Sequence, residues 1–137
     1  MSVRSFFDAN VLIYADDKAA PAKQRQSLDL LAEHRRARSG VVSLQVLQEY
    51  FVTVTKKLRV DAPIARRKVG LLAKFDVASL GVADVLAAID IHRLHAFSFW
   101  DALILQAAKQ SGCSVLFSED MQYAREINGV RVVNPFE

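Results

Sequence analysis

Short apolar runs alternate along the chain with longer stretches in which apolar residues recur every three or four positions. The short runs predict strands at residues 4–7, 41–43, 77–78, 113–117 and 130–133, with an apolar turn at residues 11–14 after the first strand. The longer stretches predict helices at residues 21 to about 39, 44–58, 61 to about 75, 83–94 and 98–111. Strands that alternate with helices in this way usually pair in parallel.

The order of these elements predicts an α/β fold with three layers, α/β/α. Helices should cover both faces of a central parallel sheet of about four or five strands. No repeat, low-complexity segment or linker interrupts the pattern. Residues 1–137 are therefore expected to form a single domain.

Composition adds constraints on where such a protein works. The chain is 52% hydrophobic and 24% charged, as globular proteins are. Cys113 is the single cysteine, which excludes an internal disulfide and a Cys-based zinc site, and its apolar surroundings predict a buried thiol. No signal peptide or membrane span is visible, so we expect a cytoplasmic protein. The net charge of +3 mildly favours a polyanionic partner.

Acidic residues follow or flank the predicted strand ends. Asp8 follows the first strand directly, and Asp120 comes shortly after the strand that ends at residue 117. Glu49 lies in the helix after the second strand, and Asp101 lies in the first turn of the helix that Ser98 is expected to cap. Because ligands gather at the carboxyl ends of strands in open α/β sheets, these four carboxylates could meet at one edge.

Such a cluster of carboxylates calls for a cation. Two unit charges about 4 Å apart repel by about 4 kcal/mol at an effective dielectric near 20. Oxygen ligands suit Mg²⁺ or Mn²⁺ rather than zinc. Each acid also has a structural interpretation: Asp101 within a helix cap, Glu49 as an exposed helix residue, and Asp120 as the cap of a short helix at residues 121–123. Asp8, with apolar residues on both sides, is the hardest to explain structurally.

Four blocks of sequence, in order, resemble the motifs of PIN-domain toxins of the VapC type. They are Phe6-Phe7-Asp8-Ala9-Asn10-Val11-Leu12-Ile13-Tyr14, Val46-Leu47-Gln48-Glu49-Tyr50-Phe51, Ser98-Phe99-Trp100-Asp101-Ala102-Leu103-Ile104 and Leu116-Phe117-Ser118-Glu119-Asp120-Met121. The ending, residues 129–136, is similar too. The resemblance therefore covers residues 6–136.

This resemblance implies a parallel sheet in the order 3-2-1-4-5 and a metal-dependent endoribonuclease that acts as a toxin. The acids that bind Mg²⁺ or Mn²⁺ would be Asp8, Glu49, Asp101 and Asp120. Asn10 and Ser118 would support them through hydrogen bonds, whereas Glu119 lies beside the matching position and is not included. The implied partners are an RNA substrate, a cognate antitoxin of the VapB type and a second copy of the chain in a homodimer.

The mechanism that we infer from the acids needs no protein nucleophile. A water activated by the carboxylate-held metal attacks an RNA phosphodiester in line, which leaves a 3′-hydroxyl end. Four carboxylates suit either one ion or two. The sequence does not indicate which RNA is cut.

Three basic clusters are candidates for contacts with RNA phosphates. They are His34-Arg35-Arg36-Arg38, Lys56-Lys57-Arg59 and Arg66-Arg67-Lys68. Charged runs near helix ends are more often solvated surface, so the sequence favours that interpretation for each cluster taken alone.

Aromatic residues and histidines near Asp101 invite functional interpretations as well. Phe97, Phe99 and Trp100 could stack on bases, but their positions favour core packing. His92 and His95 are three residues apart on a helix, yet no third ligand is near, so ordinary surface or partly buried histidines are expected.

Three other classes of function deserve comparison. An aspartyl-phosphate phosphatase would need a second acid two residues after Asp8, where Asn10 stands. A phosphoacceptor receiver domain would need an acidic pair near the amino terminus and a lysine after the last strand, and Asn134-Pro135-Phe136 offers no such lysine. The alternative that stays open is a non-catalytic PIN-fold module that binds RNA or protein.

Overall fold

A computed structural model describes residues 3–121 and 125–137 of the chain. Strands and helices alternate through most of this part. In chain order the elements are β1 (Ser5–Phe7), α1 (Ala9–Tyr14), α2 (Pro21–Ala37), β2 (Gly40–Ser43), α3 (Leu44–Lys56), α4 (Ala62–Leu72), β3 (Asp76–Ala78), α5 (Val82–His95), α6 (Phe99–Gln110), β4 (Val115–Phe117), β5 (Glu126–Ile127) and β6 (Val130–Val133).

The strands form one sheet in the order β3-β2-β1-β4-β6-β5. β1 lies inside the sheet and pairs in parallel with β2 and β4, so that Ser5 is opposite both Gly40 and Val115. The pairs β2–β3 and β4–β6 are parallel too. The predicted α/β class is confirmed, and the five parallel strands follow the predicted order 3-2-1-4-5 if β6 is counted as the fifth.

The sheet has one strand more than the four or five expected. β5 is antiparallel to β6 and joins it through a hairpin whose turn residues, Asn128 and Gly129, have positive φ values of 53° and 85°. Asn-Gly favours such a turn because both positions need a left-handed backbone. This dipeptide was the signal in the sequence for the additional strand.

The sequence predicted an apolar turn at residues 11–14. In the structure these residues belong to the helix α1 instead. The carboxylate of Asp8 accepts a hydrogen bond from the backbone N–H of Ala9 at 2.7 Å. An aspartate is a favoured N-cap because its side chain satisfies a backbone donor that has no partner within the helix. The chain therefore turns directly from β1 into a helix at Asp8.

Two serines fix where the helices beside the site begin. Ser43 ends β2 and caps α3 by accepting a hydrogen bond from the N–H of Val46 at 3.3 Å. Ser98 caps α6 in the same way through the N–H of Asp101 at 3.1 Å, as predicted. Both caps place the first turns of their helices close to the carboxyl edge of the sheet.

The core lies on both faces of β1, where Phe6 and Phe7 have no exposed surface. Burial on both faces is expected for the interior strands of a parallel sheet. Cys113 is 5% exposed, so the predicted buried thiol is confirmed. Within residues 3–121 and 125–137, no helix combines the length and the apolar character needed to cross a bilayer.

Candidate active site

Asp8 occupies the carboxyl end of β1, where its backbone N–H donates to the carbonyl oxygen of Phe117 at 3.0 Å. Only 7% of the residue is exposed. Its carboxylate accepts hydrogen bonds from the N–H of Ala9 at 2.7 Å and from the hydroxyl of Ser118 at 2.8 Å. Strand, helix and neighbouring loop therefore all fix the orientation of this carboxylate.

Asn10 connects α1 to the segment after β4. Its amide nitrogen donates to a carboxylate oxygen of Asp120 at 3.1 Å and, more weakly, to Asp8 at 3.4 Å. Its amide oxygen accepts the backbone N–H of Glu119 at 3.1 Å. One side chain thus holds two acids from opposite ends of the sequence within reach of each other.

Glu49 and Asp101 come to the same region from α3 and α6. Gln45, one turn before Glu49, donates to its carboxylate at 2.9 Å and to the backbone oxygen of Trp100 at 3.4 Å. This amide therefore bridges the two helices between the two acids. Glu49 and Asp120 are exposed, Asp101 is partly buried, and Asp8 is buried.

All four predicted acids line a single cleft of about 650 Å³ at the carboxyl edge of the sheet. Asn10 lines it too, whereas Ser118 is fully buried behind Asp8. In the described part of the chain, no three His, Cys, Asp or Glu side chains are gathered so that they could hold a metal ion by themselves. The structure brings the predicted acids to one cleft, and their role in metal binding stays a prediction.

The charges in this cleft affect one another. Burial raises the pKa of Asp8 from the ordinary 3.8 to about 6; hydrogen bonds from Ser118 and Ala9 oppose the rise, and the negative charges of Glu49 and Asp101 add to it. Burial also raises the pKa of Asp101, with a further contribution from Asp120. Among the described residues, no Lys, Arg or His forms an ion pair with either carboxylate.

The donor atoms in the cleft have the chemistry that Mg²⁺ or Mn²⁺ prefers. They are carboxylate, amide and hydroxyl oxygens, with no sulfur or imidazole among the described lining residues. Mg²⁺ usually keeps several of its waters and takes only one or two direct carboxylate ligands. A buried carboxylate with a raised pKa, surrounded by further acids, therefore fits such an ion without a closed cage of protein ligands.

The amino-acid sequence matches the PIN domain family over residues 5–127. The chain belongs to this family. The predicted resemblance to PIN domains is therefore confirmed at the level of the family. A comparison with curated proteins gives no match.

Two solved structures share the fold of this PIN domain. One is a toxin–antitoxin complex from Klebsiella pneumoniae, with a TM-score of 0.71 and 20% sequence identity over 97% of this chain and 98% of that chain. The other is VapC20 of Mycobacterium tuberculosis, a sarcin–ricin-loop-cleaving toxin, with a TM-score of 0.69 and 18% identity over 85% of this chain and 89% of that chain. At these identities the likeness shows a shared architecture.

The cleft of the PIN domain contains a further acid with an environment of its own. Glu119 accepts a hydrogen bond from the hydroxyl of Tyr14 at 2.7 Å and forms an ion pair with Lys23. Burial acts to raise the pKa of Glu119, but the hydrogen bonds from Lys23 and Tyr14 outweigh it and lower the pKa. Both carboxylate oxygens are engaged, which agrees with leaving Glu119 out of the predicted metal set.

Sequence reasoning missed Tyr14 and Lys23 as neighbours of the cleft. Tyr14 ends the first of the four motif blocks, and its position there was the available signal. Lys23 lies in the first turn of α2, and its ammonium group sits 4.9 Å from the ring centre of Tyr14 and 5.6 Å from that of Phe136. Nothing in the spacing of Lys23 relative to the acids could have indicated this contact.

The expectation that Trp100 packs in the core is wrong, because 63% of the residue is exposed. Trp100 lies in the first turn of α6, where adjacent side chains point in different directions. Its neighbour Phe99 is partly buried, and Phe97, which precedes the helix, is buried.

The two histidines behave as expected. His92 is exposed and its Nδ1 is 2.6 Å from the backbone oxygen of Phe97, and His95 is partly buried. The short helix at residues 121–123, considered as one that Asp120 caps, lies largely outside the described part of the chain, which omits residues 122–124.

Proposed function

We propose that this PIN domain, comprising residues 1–137, is a cytoplasmic endoribonuclease dependent on Mg²⁺ or Mn²⁺ and the toxin of a toxin–antitoxin pair. One observation carries the proposal. Asp8 is a buried carboxylate that has other carboxylates, and no basic side chain of the described residues, as its charged neighbours. A protein gains nothing in stability from such an arrangement unless a cation completes it. The names of the two structural neighbours support the choice of RNA as substrate and of an antitoxin as partner.

The residues of the cleft would share the work. Asp8 would be the best-positioned ligand, because Ser118 and the N–H of Ala9 fix its carboxylate. Asn10 would keep Asp120 beside it. Glu49 and Asp101 would bind the ion through its waters or hold a water that attacks the phosphate.

When bound, the metal supplies a more acidic water and stabilises negative charge on the phosphodiester. The protein side chains then have to orient groups rather than form bonds to the RNA. Asp8 presents a fixed carboxylate, and Asp101 and Asp120 line the same cleft. The expected products carry a 3′-hydroxyl, and 2′,3′-cyclic phosphate ends would contradict this mechanism.

The decisive experiment is cleavage of pooled cellular RNA by the wild type and by Asp8→Asn, each with Mg²⁺, with Mn²⁺ and with EDTA. Asp29→Asn is a matched control, because Asp29 is an exposed carboxylate on α2 away from the cleft and the change in charge is the same. We expect metal-dependent cutting by the wild type and by Asp29→Asn, and none by Asp8→Asn. Circular dichroism verifies that the variants are folded.

The other outcomes are equally informative. If Asp8→Asn cuts as well as the wild type, the proposed metal site is wrong. If the folded wild type cuts no RNA with either metal but still binds RNA, the chain is a non-catalytic binding module. That result would contradict the proposed enzymatic activity, whereas the assignment to the PIN domain family would stand.

We also propose that the chain forms a homodimer and is bound by a VapB-type antitoxin. Exposed apolar side chains on α5 support a dimer surface; they include Val82, Leu86 and Leu94. An apolar groove between α3 and α4, lined by Phe51 and Pro63 among others, suits an apolar segment of an antitoxin. Light scattering of the wild type and of Leu86→Lys tests the dimer: a monomeric wild type, or a variant that stays dimeric, contradicts the α5 surface.

A further inference from the structure

The cleft is strongly acidic for a site that must receive RNA. Six acids line it: Asp8, Asp17, Glu49, Asp101, Glu119 and Asp120. Among the described lining residues, Lys57 is the only lysine or arginine. A metal ion can neutralise the charge at the reacting phosphate, but the phosphates on either side of it approach the same acidic walls. Those phosphates need a cation of their own.

Lys57 projects from the wall of the cleft that α3 forms. It follows the last residue of α3 and continues its helical backbone, with its N–H donating to the oxygen of Thr53 at 2.8 Å. Glu49, Thr53 and Lys57 are spaced by four residues, and all three line the cleft. At a rise of 1.5 Å per residue, Lys57 lies about 12 Å along the helix axis from Glu49.

Lys57 has no competing partner in the described part of the chain. Its side chain forms no hydrogen bond or ion pair there, and the residue is exposed. Lys23 and Lys68, the two lysines that do approach acids, are paired with Glu119 and Asp16. Lys57 is therefore able to bind an incoming anion without first breaking an existing contact.

The other two basic clusters of the sequence lie elsewhere. His34, Arg35 and Arg38 line a pocket with Gly40 and Asp76, where β2 and β3 begin. Because these strands run parallel to β1, that pocket is at the edge of the sheet opposite Asp8. In the cluster on α4, Arg66 lines the apolar groove and Lys68 is paired with Asp16. Of the three clusters, only the one at the end of α3 contributes a residue, Lys57, to the described lining of the acid cleft.

We propose that Lys57 binds a backbone phosphate of the RNA that flanks the scissile one. A favourable interaction with the end of the helix dipole would explain a lysine at this position, but not why its side chain lines the acid cleft. The distance from Glu49 places the contact at a neighbouring phosphate rather than the reacting one. This inference rests on the proposed ribonuclease function.

The test compares Lys57→Gln with Lys57→Arg and with Lys74→Gln, a control that removes the same charge at the opposite edge of the sheet. Binding of fluorescein-labelled oligouridylate is measured by anisotropy from about 50 to 200 mM KCl with Mg²⁺ present, in an Asp8→Asn background that prevents cleavage. For Lys57→Gln we expect a roughly fivefold loss of affinity at low salt. We also expect the slope of log K against log salt to become shallower by about 0.7, the value of one phosphate contact on a single strand.

Lys57→Arg and Lys74→Gln should keep the slope of the parent protein, since the first keeps the charge in place and the second removes it elsewhere. An unchanged slope in Lys57→Gln, or an equal loss in Lys74→Gln, overturns the inference. If the wild type cuts pooled RNA in that case, the proposed function stands without this contact. If the wild type neither binds nor cuts RNA, both fail.

Discussion

Two aspartates at the two ends of α1 differ in what surrounds them. Asp8 precedes the helix, and its carboxylate receives neutral donors while its charged neighbours are other acids. Asp16, two residues after the helix, accepts a hydrogen bond from the hydroxyl of Tyr50 and forms an ion pair with Lys68 at 2.5 Å. Burial, followed by the hydrogen bond to Asp16, raises the pKa of Tyr50, so this hydroxyl stays a donor.

The difference separates a carboxylate whose charge is balanced by a cationic side chain from one whose charge is not balanced among the described residues. The side chain of Asp16 is 12% exposed, so both aspartates have been taken largely out of water. The contacts of Asp16 with Tyr50 and Lys68 compensate for the desolvation of its carboxylate, whereas the neutral donors around Asp8 compensate for only part of it. Removing the charge should therefore have opposite effects on stability at the two positions.

The largest effect should be on catalysis at Asp8. Loss of a hydrogen-bonding residue behind a metal ligand commonly costs 10- to 100-fold in activity, so loss of the ligand itself should cost about 100-fold or more in Asp8→Asn. Initial rates of RNA cleavage at saturating Mg²⁺ measure this, with Asp16→Asn as the matched variant. Comparable cleavage rates for the two variants would contradict the proposal that Asp8 has a role in cleavage that Asp16 lacks.

The second effect is a dependence of stability on pH. The folded pKa of Asp8, about 6, lies above its ordinary 3.8. The folded state therefore favours the neutral carboxyl, and this stabilisation is complete below about pH 4 and lost as the pH rises through 6. Two pKa units correspond to about 3 kcal/mol.

In EDTA, we therefore compare the free energy of unfolding of Asp8→Asn with that of the wild type. The value for the variant minus that for the wild type should increase by about 3 kcal/mol between about pH 4 and pH 7. Urea denaturation of both proteins at each pH gives this difference, in which the other titrating groups cancel. A difference that stays constant with pH would show that the Asp8 carboxylate is not destabilised by its surroundings.

The third effect is on stability at Asp16. Asp16→Asn leaves Lys68 without its partner and Tyr50 with a weaker acceptor, so the free energy of unfolding should fall by about 2 kcal/mol. The figure is modest because the side chain of Lys68 is 40% exposed and water replaces part of the lost contact. Urea denaturation measures it, and RNA cleavage should stay within about twofold. A more stable Asp16→Asn would contradict the contrast with Asp8.

The smallest effect should come from Glu119→Gln. Glu119 lies in the cleft like Asp8 but has a lysine partner like Asp16. We expect a loss of less than about 1 kcal/mol in the free energy of unfolding and a change in cleavage rate within about threefold. A loss of activity as large as that of Asp8→Asn would assign Glu119 to the metal-binding acids. The role of a carboxylate would then depend more on its location in the cleft than on whether a lysine pairs with it.

The sequence predicted the parallel sheet and most helices because their apolar periodicities are regular. It could not predict α1, since residues 11–14 are too short an apolar run for period alone to distinguish a turn from a helix. Asp8 was considered as an acid and not as the N-cap that starts that helix. The same residue serves both purposes, and only the structure shows the two together.

The sequence was sufficient to predict which acids line the cleft, but not which basic side chains lie beside them. The motif blocks name Asp8, Glu49, Asp101 and Asp120, because strand ends and order along the chain are visible in a sequence. Which basic side chain lies beside which acid depends on long side chains from distant helices, and no pattern encodes that. Lys68 and Lys57 belong to similar basic clusters, yet one is paired with Asp16 and the other lines the cleft.

The pairing of β1 with β4 has a consequence during translation. Asn10 and Asp120, which share a hydrogen bond in the cleft, are separated by 110 residues. At 5–20 residues per second, a ribosome needs about 6–20 s to add the residues between them. Until β4 has been made, β1 lacks one of its two neighbours in the sheet, and Asp120 is added only after β4. A nascent chain that has not yet reached residue 120 therefore lacks the assembled cleft.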